Sequence, residues 1–168
     1  MAWGLTNWLG GRRRTVRTAE DLADFLSRLA AFIAQKCTDD YCRGKVGVLH
    51  HALAEEQAFK DALNRCRWEG YAAMLAALMV VTQRLLIEAG GPPEAVERLL
   101  TGLYGRILDG HPLPAHRPEG WGELKDALPQ RLRAGRAEPP PSLIAIADAA
   151  AARLFEVLPI HQRYRELD

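Results

Sequence analysis

Residues 65–89 read RCRWEGYAAMLAALMVVTQRLLIEA, and from Tyr71 to Val81 every side chain is apolar or aromatic. A helix that is apolar on all sides has no face to offer water, so other elements must enclose it. The stretch therefore predicts an all-α fold: a single compact bundle of six or seven helices around a central apolar helix over about residues 65–89. The run from Tyr71 to Val81 is well short of the ~20 residues a membrane span requires, which favours a bundle axis over a transmembrane helix.

Upstream, Thr18 has the character of a helix N-cap, with Glu20 and Asp21 in the first turn where the helix dipole favours acids. Leu22, Phe25, Leu26, Leu29, Phe32 and Ile33 follow at spacings of three and four, the strongest amphipathic signal in the chain. That helix is expected to end near Lys36–Cys37, with Thr38, Asp39 and Asp40 opening the next. Val46, Leu49, Leu53, Phe59 and Leu63 continue a helical pattern. Glu56 and Lys60 fall in the middle of that stripe, so either they form an ion pair lining a pocket or the helix breaks there. Gly47 and the patch Glu55-Glu56-Gln57 favour the break.

Downstream, Gly90-Gly91 supplies a left-handed helix terminus, and Pro92-Pro93 restarts the chain in a new first turn. Val96, Leu99, Leu100, Leu103, Tyr104 and Ile107 mark that next helix. GHPLPAHRPEG, residues 110–120, is loop chemistry. A short helix over Trp121–Leu132 should be strained or ended by Pro129. Ser142 then caps a last helix that Pro159 closes. Residues 18–168 read as one helical domain, preceded by a tryptophan- and arginine-bearing segment over residues 1–17.

The 168 residues carry a net charge of +1, so no global field draws the chain to nucleic acid. Nor does any basic, polar recognition helix follow a short turn. Three cysteines, Cys37, Cys42 and Cys66, cannot all pair within one chain, and reduced thiols in a cytoplasmic setting are the expectation. The arginines near the start follow the apolar residues, the reverse of a secretory signal.

Little in the sequence resembles an active site. The two serines, Ser27 and Ser142, sit in a helix interior and at a cap, with no base or oxyanion hole implied. Cys37 and Cys42 with His50 and His51 have zinc-compatible chemistry, but adjacent histidines diverge by about 100° on a helix. The di-metal site of helical bundles needs Glu-x-x-His motifs, and the chain has none. No catalytic residue, metal or cofactor is therefore assigned.

The stretch RLLIEAGGPPEAVERLLTGLYGRILDG, residues 84–110, resembles the bacterial ubiquinol–cytochrome c chaperone family. Gly90, Gly91, Pro93, Tyr104, Gly105 and Arg106 take the places of that family's glycine turn, proline-started helix and aromatic-Gly-Arg element. LKDALPQRLRAG (124–135), the alanine-rich helix after Ser142, and LAAFIAQKC (29–37) look similar too. The resemblance implies a binding activity without an active site: holding a membrane-complex subunit before it is incorporated.

The residues lead to the same class. Trp, Tyr and Arg dominate interface hot spots, which singles out Trp3, Trp8, Arg12, Arg13, Arg14, Tyr104, Arg106 and Trp121 as partner-binding candidates. Segment 1–17 has two readings: peripheral contact with the inner membrane, its tryptophans at the interface and its arginines on anionic headgroups, or a peptide that folds back over the bundle, stapled by its tryptophans with its arginines in water. The expectation is a non-enzymatic assembly factor or adaptor with a protein partner. The alternative is a small-molecule- or metal-binding helical domain with a pocket near His51, Glu55, Glu56 and Glu69.

Overall fold

A computed structural model describes residues 15–47 and 55–159 of the chain. Within them lie α1 (Ala19–Val46), α2 (Gln57–Glu88), α3 (Pro93–Asp109), α4 (Gly122–Ala134) and α5 (Leu143–Val157), with no strand among the described residues. The all-α class read from the sequence holds. The described residues contain five helices where six or seven were expected.

One expected junction is absent. α1 runs straight through Cys37 and Thr38 to Val46. Ala30, Ala34, Thr38 and Cys42, four residues apart, are all buried and present one continuous seam of small side chains. Burying that seam outweighs the cap-like Thr-Asp-Asp signal, because tertiary packing overrides local propensity. Asp39 instead pairs with Arg67 of α2 at 2.7 Å, and Asp40 pairs with Lys36 along α1.

The other boundaries follow local chemistry. Thr18 and Asp21 form a capping box: Thr18 Oγ1 accepts from the Asp21 amide, and the Asp21 carboxylate from the Thr18 amide, both at 3.1 Å. A break separates α1 from α2, with Gly47 at φ 55° and Glu56 extended ahead of Gln57. Lys60 sits 3.6 Å from exposed Glu55 at that start. At the far end of α2, Gly90 (φ 93°) donates to the Ile87 carbonyl and Gly91 to Leu86, both at 2.9 Å, the paired closure of a Schellman terminus. Ser142 Oγ accepts from the Ala145 amide at 3.1 Å to start α5. α4 forms over nearly the expected span and is not ended by Pro129, running on to Ala134. Leu128 and Leu132 are buried on the core side, and that packing carries the helix over the missing proline N–H.

α2 is the axis: α1 and α5 pack most extensively on it, and α3 and α4 touch it as well. Tyr71, Ala72, Leu75, Ala76, Met79 and Val80 meet Leu26, Ala30 and Ala34 of α1, Leu100, Leu103 and Tyr104 of α3, and Leu128 and Leu132 of α4 in one core. Each fully buried leucine there contributes roughly 1.5–3 kcal/mol. A smaller cluster of Cys42, Cys66 and Leu158 joins α1, α2 and the end of α5. Gly70 permits the close approach, since a Cβ there would lie 2.5 Å from Leu154 Cδ1 and 3.5 Å from Ala34 Cβ. As one unbroken helix, α2 is long and apolar enough to cross a membrane by length and composition, and half of its most apolar window is buried in the bundle.

Candidate functional site

Glu69 opens the most polar feature of the interior. It lies on α2 beside Gly70, only 3% exposed, at the start of the apolar stretch that runs from Tyr71 to Val81. A buried carboxylate needs charged partners, and two distant segments supply them. The α3–α4 loop brings Arg117, whose Nε donates to Glu69 Oε1 and whose Nη2 donates to Oε2 at 2.9 Å. His116 Nε2 donates to Oε1 at 3.0 Å. From α5, Arg153 Nη2 donates to Oε2 at 2.9 Å. Both carboxylate oxygens are occupied.

The second layer holds these cations in place. Arg117 Nη1 reaches Glu123 at 2.8 Å, and its guanidinium lies over the Trp121 ring, 4.8 Å from the centroid. Arg153 Nη1 reaches Glu156 at 2.9 Å. Burial pushes the Glu69 carboxyl up; the hydrogen bonds from Arg117 and Arg153, the Arg117 charge and the His116 bond together outweigh it and hold the group down to about 2. A carboxylate so stabilised is a poor proton acceptor and has no vacant oxygen for a metal.

Next to this ion cluster is an aromatic one. Trp68 meets Tyr71, His111 and Trp121 with ring centroids 5.9, 5.6 and 6.3 Å away. Tyr71 and His111 pack edge to face at 5.4 Å. The Tyr71 hydroxyl lies 2.8 Å from Ser27 Oγ on α1 and 3.1 Å from His111 Nε2. Burial lowers the His111 pKa, so the ring is neutral at pH 7. The rings pack on one another and fasten the loop to α1 and α2.

The site residues read from the sequence are scattered. His51 and the candidates Trp3, Trp8, Arg12, Arg13 and Arg14 lie outside the described residues. Glu55 and Glu56 are exposed at the start of α2, about 20 Å along the helix from Glu69 at 1.5 Å per residue. The expected pocket therefore does not join these acids to Glu69. Tyr104 and Trp121, expected as partner contacts, are each 1% exposed and belong to the core. The Tyr104 hydroxyl donates to the Ala72 carbonyl at 3.2 Å, and burial pushes its pKa up strongly. Arg106 is on the surface, 3.6 Å from Glu20.

Sequence reasoning passed over His111, His116, Arg117 and Arg153. One signal was available: a glutamate inside an apolar axis demands cations from elsewhere, and HRP in a proline-flanked loop is a rigid source. Between α3 and α4 the surface carries a shallow cleft of about 420 Å³ lined by Glu94, Glu97, Arg98, Thr101 and Pro129. Glu97 there is occupied by Arg133 and Arg136 at 2.9 and 2.8 Å. Among the described residues no group of three or more His, Cys, Asp or Glu is arranged to hold a metal ion. No family model, curated protein or solved structure matches this chain.

Proposed function

We propose that this chain is a non-enzymatic helical binding protein, an assembly factor or adaptor that works through contacts with a protein partner close to the inner membrane surface. The observation that carries the reading is the state of Glu69. Its carboxylate is wholly engaged in tying the α3–α4 loop and α5 to the axis. The interior chemistry thus serves the architecture and leaves the exterior for function.

Trp3, Trp8 and Arg12 to Arg14 are the contact residues in this proposal, with exposed Arg106 beside the start of α1 as a further one. Indole and guanidinium groups give large contact area together with directional bonds. The likeness to the ubiquinol–cytochrome c chaperone family supports the same class, with a membrane-complex subunit as the partner.

The test is affinity recovery from the native cell in gentle detergent, comparing the full chain with a variant lacking residues 1–11. The full chain should retain a partner in fixed proportion, and the deletion should lose it while its thermal unfolding changes little. Stoichiometric metal or a retained organic ligand in native mass spectrometry would overturn the adaptor reading in favour of a ligand-binding domain.

A further inference from the structure

α5 is a mostly apolar helix with little of itself buried. Of its 15 residues only Ala150 is buried, and Leu143 and Ile144 are 59% and 73% exposed. An apolar helix is normally enclosed, and so small a buried anchor marks an element of low local stability. Its main support is α2, along which it runs antiparallel: Gly135, just ahead of α5, lies against Val80, and Leu154 lies against Gly70. The ties gather in its C-terminal half. Arg153 reaches Glu69 at 2.9 Å, the Cys66 thiol points to the Leu154 carbonyl at 4.0 Å, and Phe155 packs edge to face on Tyr41 of α1, centroids 6.0 Å apart. Residues Leu143–Ala149 follow the exposed stretch Ala137–Pro140 and, apart from half-buried Ile146, are themselves exposed.

Beneath α5, α2 presents mostly small side chains. Gly70, Ala73, Ala77 and Val81 share one face of α2 at spacings of three and four, with Leu154 over Gly70. Ala73 is buried, while Ala77 and Val81, towards the loosely held half of α5, are half-buried. A face of small residues lets another helix backbone approach closely. Glu69 borders it and sets one charge. Its Oε2 accepts from both Arg117 and Arg153, and only the second of those bonds belongs to α5. What α5 brings to this face shows what the face accepts: alanines over small residues, and one guanidinium at Glu69.

We infer that this face of α2 is a docking groove for an apolar, alanine-rich helix of the protein partner, bearing an arginine or lysine for Glu69, and that α5 is its removable occupant. This rests on the proposed function and adds which element of the partner is held, a helix of the kind whose small-residue faces pack together inside membranes. α5 lifts from its N-terminal half, and the core that α1, α3 and α4 form with α2 stays closed. The incoming helix competes with a tethered one, so its apparent affinity is reduced by the fraction of chains that are open.

The test uses the full chain and a fluorescein-labelled peptide of residues 142–158. Native-state hydrogen exchange should show α5 amides exchanging at least about tenfold faster than those of α1 and α3. Arg153→Ala in the protein takes one charged hydrogen bond from the competitor, so fluorescence anisotropy should show the peptide binding about tenfold tighter. The same substitution in the peptide should weaken binding by about tenfold. Opposite effects of one change on the two sides mark exchange at one place. α5 amides that exchange no faster than the core overturn the inference, and this measurement needs no variant to fold. A scrambled peptide that binds equally well also overturns it. So does a dimer that forms as concentration rises and is dissociated by the peptide, since the occupant is then α5 of a second copy. A chain whose α5 stays shut while the native partner is still recovered leaves the adaptor reading standing, and one that exchanges its helix but recovers no partner does the reverse.

Discussion

Glu69 is charged in the buried middle of α2 because Arg117, Arg153 and His116 converge on it, and the arrangement makes the fold depend on its ionisation. In the unfolded chain the carboxyl takes a proton near 4.5, and in the folded chain only near about 2. The folded-state pKa is depressed, so the stabilisation is present above pH 4.5 and lost as pH falls towards 2, in total about 3 kcal/mol. His111 acts in the same direction at higher pH, since burial sets its folded pKa below 6.5 and the unfolded chain is protonated first. Acid titration of stability by circular dichroism should therefore show two declines, one below pH 6.5 and one below 4.5. His111→Phe should remove the first and Glu69→Gln the second. Glu69→Gln should also cost about 3 kcal/mol at neutral pH, because it strands two arginines against a neutral amide. For a chain of this length that is a fall of roughly 10 °C in Tm. A neutral-pH Tm unchanged by Glu69→Gln would show that the cluster is solvated rather than structural.

The helix boundaries divide into those written locally and those imposed from outside. Thr18 with Asp21, Gly90-Gly91, Pro92-Pro93 and Ser142 each act on the backbone within a few residues of themselves, and all were legible in the sequence. At Thr38 and Pro129 the surroundings decide: a buried seam carries α1 through the first, and a buried leucine pair carries α4 over the second, so the helix expected across Pro129 forms without ending there. Glycine substitutions separate the two kinds of control. At Gly91 a Cβ would sit 2.8 Å from the Leu86 carbonyl oxygen and 2.9 Å from Val96 Cγ2, with backbone on one side that cannot move away cheaply. At Gly102, inside α3, a Cβ meets nothing within 4 Å. Gly91→Ala should destabilise by about 2 kcal/mol through that overlap. Gly102→Ala should stabilise by about 0.5–1 kcal/mol through helix propensity alone. Urea melts of both variants check the pair, and equal effects would mean the α2–α3 turn is looser than its hydrogen bonds imply.

At the scale of the whole molecule, the feature that revealed the architecture also concealed the site. A helix apolar on every side announces that it is enclosed, but its pattern has no phase, so nothing in it tells which residue faces which neighbour. Glu69 was visible as an oddity, yet its partners lie 47, 48 and 84 residues away in sequence, on a loop and a helix whose placement depends on that missing phase. The thiols test how tightly the enclosure holds. Cys37 is exposed, whereas Cys42 and Cys66 are wholly buried where α1, α2 and the end of α5 meet, and Leu158 closes the cluster. Burial, with smaller contributions from Cys66 and Asp39, pushes the Cys42 thiol up to about 11, which leaves little reactive thiolate at neutral pH. A disulfide reagent such as Ellman's should therefore label one thiol at once and two slowly. If α5 leaves the axis only when the whole bundle opens, the two slow rates should be equal at high reagent concentration and match the unfolding rate followed by circular dichroism. Two buried thiols that react much faster than global unfolding would show instead that α5 opens alone, exposing α2 without loss of the core that α1, α3 and α4 build around it.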